Sequence, residues 1–94
     1  MITWVRRRGE DVDPFRVLEV QAALTRVVRE LARVQADDVR FARAHHLRAL
    51  RLAYDGLLDE ACRLARVAVD ELPAAGPLRR VVAEAELGAR GWQW

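Results

Sequence analysis

Residues 31–47 read LARVQADDVRFARAHHL, and the way this stretch folds decides the architecture of the whole chain. It joins two apolar seams. Upstream, Val17, Val20, Leu24, Val27, Leu31 and Val34 recur at spacings of three and four, the period of one helix face. Downstream, Leu47, Leu50, Tyr54, Leu57, Ala61, Leu64 and Ala68 repeat the pattern. Val34 and Leu47 lie thirteen residues apart, so at 100° per residue an unbroken helix would carry the two seams on nearly opposite sides. Such a rod needs partners on both sides and forces an intertwined oligomer. A tight turn at Ala36-Asp37-Asp38, with Asp38 capping the next helix, lets the seams face each other instead. The hairpin is the expected arrangement.

Working outward, Asp13-Pro14 is a helix start: Asp accepts free amide hydrogens, and Pro tolerates the first helical position. The first helix is predicted over 14–36, with Leu18 and Val28 widening its apolar stripe. The second is predicted over 38–71, stopping before Pro73. Its outer face would carry Arg48, Arg51, Asp55, Asp59, Arg63, Arg66 and Asp70. The (i, i+4) pairs Arg51–Asp55, Asp59–Arg63 and Arg66–Asp70 there are worth only ~0.3–0.5 kcal/mol each, so they mark the solvent side. Gly56 interrupts this helix as a kink, a close approach or a tolerated residue. After the break Pro73-Ala-Ala-Gly-Pro77, a third helix over 77–90 shares Leu78, Val81, Val82, Ala85 and Ala89 on one face, and Gly91 ends it. Residues 91–94 form a Trp-rich tail. Residues 1–12 lack a helical period and read as an extended arm with Ile2, Trp4 and Val5.

The fold class is therefore all-α: a single domain, 1–94, of one long helical hairpin plus a short third helix. Apolar residues beyond the seams, among them Leu18, Val28, Phe41 and Leu52, predict assembly into a dimeric helical bundle or pairing with a helical protein partner. Val17, Leu24, Leu31, Phe41, Leu47, Tyr54 and Trp94 are the side chains expected at such an interface.

Composition bounds the function. At 52% hydrophobic and 32% charged residues, the chain is too apolar for disorder. All 16 basic residues are Arg, which reads as the coding bias of a GC-rich, bacterial genome, because 14 acidic residues leave a net charge of only +2. Arg is also suited to gripping phosphate, so nucleic acid is a second, less favoured partner. The basic segment lacks interleaved aromatics and any recognisable reading motif. Charge is uneven: 26–51 is Arg-rich and holds both histidines, whereas 54–71 has five acidic residues against two Arg. That polarity suits antiparallel pairing of two chains or a solvated surface. No apolar run approaches the ~18 residues of a membrane span, and the N-terminus has its charges after a short apolar run, the reverse of a signal peptide. A cytoplasmic location is expected.

Few residues carry chemistry. The sequence holds no Ser, no Gly-rich phosphate loop and no Cys-x-x-Cys or His-x-x-x-His pair, so no cofactor, metal or nucleophile is predicted. His45 and His46 are adjacent and point about 100° apart, which prevents joint chelation. Cys62 sits in an apolar run and reads as a small hydrophobe. Arg40-Phe-Ala-Arg-Ala-His45 resembles the Arg-x4-His motif of HEPN ribonucleases, four-helix domains that dimerise around a composite RNA-cleaving site. That resemblance implies Arg40 on the phosphate and His45 on the proton, with Phe41 where the family prefers a polar residue. The alternative places both histidines where the helix passes from its inner to its outer face. Glu60-Ala61, Ala65, Ala68 and Pro73 resemble half a tetratricopeptide repeat, with Tyr54 and Gly56 partly matching the other half. Arrays of that kind need about three units for stability, and close packing of two helices accounts for the small residues. Non-enzymatic contact through helix faces is the expected mode of action.

Overall fold

The computed structural model describes residues 13–36 and 40–94, except for the side chains of 40–42. The predicted arm over 1–12, the reversal at Asp37-Asp38 and the side chains of Arg40 and Phe41 lie outside the described residues. Three helices form, α1 (Pro14–Gln35), α2 (Arg40–Leu64) and α3 (Pro77–Ala89), with a 3-10 turn at Val69–Glu71 and no strand among the described residues.

Helix α1 starts as its sequence dictates: Asp13 Oδ1 accepts the Phe15 amide at 2.9 Å, and Pro14 occupies the first helical position. Its buried residues are Val20, Leu24 and Val34. Helix α2 lies antiparallel to it. In the first turn of α1, Arg16 donates from Nε to Glu60 Oε2 at 2.7 Å; near the other end, Glu30 Oε2 lies 3.7 Å from His46 Nε2. The seams face one another, and a continuous rod through 35–40 does not exist.

Helix α2 ends seven residues before the predicted Glu71. Arg66 adopts the left-handed conformation (φ 65°), its amide donates to Arg63 O at 3.2 Å, and the Val67 amide donates to Cys62 O at 2.8 Å. This is a Schellman stop built on Arg where Gly would be usual. Its physical reason lies in the partner helix. Helix α1 begins opposite Glu60, so an extension past Leu64 would run beyond anything that buries it. Reversing the chain returns Val67, Val69 and Leu72 to the core.

The core is one cluster: Val20 and Leu24 from α1, Tyr54, Leu58, Ala61 and Cys62 from α2, and Ala83 and Leu87 from α3. Both α1 and α3 pack on α2, which is therefore the central element. That arrangement changes two expected faces. On α2, Leu58 is 2% exposed while the predicted seam residue Leu57 is only half-buried, because α3 draws the buried face round towards itself. On α3, Ala83 and Leu87 are buried, whereas Leu78, Val81, Ala85 and Ala89 of the predicted inner face are exposed. Charges set this orientation. Arg80 donates to both oxygens of Asp55 at 2.8 and 3.0 Å, and Arg79 donates to Asp59 at 3.3 and 3.2 Å and to Pro73 O at 2.8 Å. Pinned at these points, the helix turns Ala83 and Leu87 into the core. Asp55 and Asp59, read from the sequence as solvent-side partners of neighbours on their own helix, instead fasten α3.

The tail completes the packing. Gly91 (φ 88°) forms a second Schellman stop, with the Trp92 amide donating to Leu87 O at 3.0 Å and Trp92 packed on the core. The Gln93 amide donates to Gln21 Oε1 at 3.0 Å, which ties the tail to α1. Among the described residues, no helix is long and apolar enough to cross a membrane.

Candidate functional site

Three local arrangements have chemical or binding character. The first lies beneath the tail. Trp94 Nε1 donates to the Tyr54 hydroxyl at 3.2 Å, and that hydroxyl donates to Glu84. Burial first, and the Glu84 carboxylate second, push the Tyr54 phenol up to about 12, so the group stays protonated and serves as a relay of hydrogen bonds. The chain Trp94–Tyr54–Glu84 joins residues 30 and 40 positions apart, and no local pattern in the sequence signals it. Trp94 is half-buried by this contact.

The second comprises two separate apolar surfaces, the outer side of α3 and the start of α1, which do not pack on one another. Leu78 is 65% exposed and Val81 60%, with Ala85 and Ala89 continuing the stripe at helical spacing. On α1, Phe15 is 75% exposed and Leu18 61%, three residues apart on the face turned away from Val20 and Leu24.

The third is a groove of about 480 Å³ along the N-terminal half of α2. Helix α3 meets α2 at Asp55 and Asp59, and among the described residues it does not cover the earlier turns on that side. Its lining combines the apolar Ala44, Leu47 and Leu52 with the charged Arg43, Arg48, Arg51, Asp55 and Arg80. Arg80 is spent on Asp55. Arg48 and Arg51 have no carboxylate partner among the described residues.

The residues expected at an interface divide between these places. Leu24 and Tyr54 are buried inside the single chain, which leaves them no surface to offer a partner. Val17, Leu31, Leu47 and Trp94 are half-buried, and the Phe41 side chain is outside the described residues. His45 is exposed on α2; its would-be partner Arg40 has no described side chain. His46 is turned to Glu30 of α1. Among the described residues, no three His, Cys, Asp or Glu side chains come together as a metal site. Cys62 is fully buried, and burial raises its thiol above the ordinary range, so it remains protonated and acts as an apolar filler. A second cavity of about 70 Å³ lies between α2 and the start of α3, but the charges lining it, Asp55, Asp59, Arg79 and Arg80, are already paired with one another.

The acidic half of α2 is similarly satisfied from within. Asp55 and Asp59 take Arg80 and Arg79, and Glu60 takes Arg16. Among the described residues, therefore, the acids of α2 are paired, whereas its Arg48 and Arg51 are without a carboxylate. Comparison with protein-family models, with curated proteins and with solved structures finds nothing that matches the chain.

Proposed function

We propose that this is a non-enzymatic interaction protein that works through helix faces and associates with a second copy of itself. One observation carries the reading. Helix α3 buries Ala83 and Leu87 and turns Leu78 and Val81 to the outside. A helix that exposes a Leu and a Val on the side opposite its buried face keeps apolar area for another surface; fully covering one such side chain is worth roughly 1.5–3 kcal/mol. The simplest occupant is the same stripe of a twofold-related copy, since an isologous contact needs only self-complementarity. Exposed Phe15 and Leu18 add apolar area on α1. A reducing, cytoplasmic setting fits the buried free thiol of Cys62.

Light scattering coupled to size exclusion tests the reading. A dimer is expected at micromolar concentration, and Val81→Glu, which places a charge in the middle of the stripe, shifts the equilibrium to monomer while leaving the helical circular dichroism unchanged. A wild-type chain that stays monomeric at that concentration would defeat self-association.

A further inference from the structure

We infer that the groove along the N-terminal half of α2 docks an acidic, amphipathic helix of a partner protein. Arg48 and Arg51 face its carboxylates, and Leu47 and Leu52 meet its apolar side. The inference rests on the helix-face reading above and names the partner for one of those faces.

Three observations support it. The first is charge balance. Arg48 and Arg51 have no carboxylate partner among the described residues, although carboxylates one to three turns further along the same helix are all engaged by Arg16, Arg79 and Arg80. A second copy of the chain supplies little to neutralise them: among the described residues, only Asp70 and Glu71 lie outside an ion pair, a side-chain hydrogen bond or a helix cap. The described residues thus leave the complementary charge to a different molecule.

The second is a template within the fold. Helix α3 already docks on α2 by placing small and apolar side chains against Leu58 and flanking that contact with Arg–Asp pairs. The groove continues the same side of α2 past the start of α3; beyond Asp55, which Arg80 already holds, its charged residues on α2 are Arg43, Arg48 and Arg51, beside Leu47 and Leu52. A second helix packed there, bearing Asp or Glu where α3 bears Arg79 and Arg80, would reproduce the same mode of contact.

The third is the apolar share of the lining. Ala44, Leu47 and Leu52 give a phosphate backbone nothing to bond, and no aromatic residue stands among the described lining residues. An amphipathic helix uses both the leucines and the arginines; a nucleic acid uses only the arginines.

The test is fluorescence anisotropy on the full chain with two labelled helical probe peptides, both with Leu at every third or fourth position, one with Glu and the other with Lys at the intervening positions. Wild type is expected to bind the Glu peptide and not the Lys peptide, with affinity falling as salt rises. The exposed double substitution Arg48→Glu/Arg51→Glu is expected to weaken the Glu peptide by at least about tenfold, or 1.4 kcal/mol, and to gain the Lys peptide. That exchange of preference is a result that loss of folding cannot mimic. Equal binding of the two peptides, or none, overturns the inference. So does tighter binding of single-stranded oligouridylate than of the Glu peptide at physiological salt, or dissociation of the dimer by the double substitution, which would assign the groove to a second copy. The two proposals fail separately. A dimer that ignores the peptide defeats only the groove, and a monomer that binds it defeats only self-association through α3.

Discussion

The most discriminating perturbation compares adjacent leucines. The helical seam read from the sequence turns Leu57 inward, whereas the fold buries Leu58 to 2% exposure at the junction of all three helices and leaves Leu57 half-buried. Truncating a fully buried Leu to Ala costs about 2–5 kcal/mol, the removed methyl groups plus the cavity they leave. Leu58 belongs in the middle of that range or above it, since neighbours from both α1 and α3 surround it and cannot all collapse into the space. Leu57, wet on one side, should cost about 1–1.5 kcal/mol because water fills the gap. A domain of this length has about 5–14 kcal/mol of stability in total. Leu58→Ala therefore removes a quarter or more of it and lowers the melting temperature by about 14–40 °C, while Leu57→Ala lowers it by about 4–12 °C. Urea unfolding followed by circular dichroism, at one fixed protein concentration so that association contributes equally, gives both values from the midpoints, with the slope unchanged. If Leu57→Ala costs as much as Leu58→Ala, α3 does not pack where the structure places it, and the exposure of Leu78 and Val81 that carries the proposed function falls with it.

Other expectations follow from single positions. Tyr54 is the chain's only tyrosine, so an alkaline absorbance titration reads one group; it should ionise near 12, well above the usual 10. Because the folded value is raised, the stability this contributes is fully present below pH 10 and is lost as the pH climbs from 10 to 12, a window that Tyr54→Phe should flatten; ionisation near 10 in the folded protein would contradict the Trp94–Tyr54–Glu84 chain. A methyl group added at Gly56 meets open space, so Gly56→Ala should raise stability by about 0.5–1 kcal/mol, seen as a higher urea midpoint. Arg66→Gly removes a side chain from a left-handed position and should also stabilise, by up to about 1 kcal/mol, whereas Arg66→Val should destabilise; the reverse order in thermal melts would argue against the Schellman stop.

Much of the hairpin was legible in the chain itself. Asp13-Pro14 and Gly91 announce helix ends through their own backbone preferences, and Val20, Leu24, Tyr54 and Ala61 recur at the helical period and are buried. Periodicity states which residues share a face; it does not state which face turns inward when two are available. On α2, that choice passed to Leu58 and Cys62 once α3 covered a second side. On α3, it passed to Ala83 and Leu87 because two arginines found Asp55 and Asp59, 25 and 20 residues away. The end of α2 at Leu64 was equally invisible, since Arg66 has no intrinsic tendency to stop a helix and does so only where its partner helix begins. Helix propensity is local, so the sequence by itself determined that helices form and where α1 and α3 start. Burial and ion pairing depend on residues far apart in the chain, so only the tertiary structure decided which leucines became core, and which leucines and arginines were left facing outward.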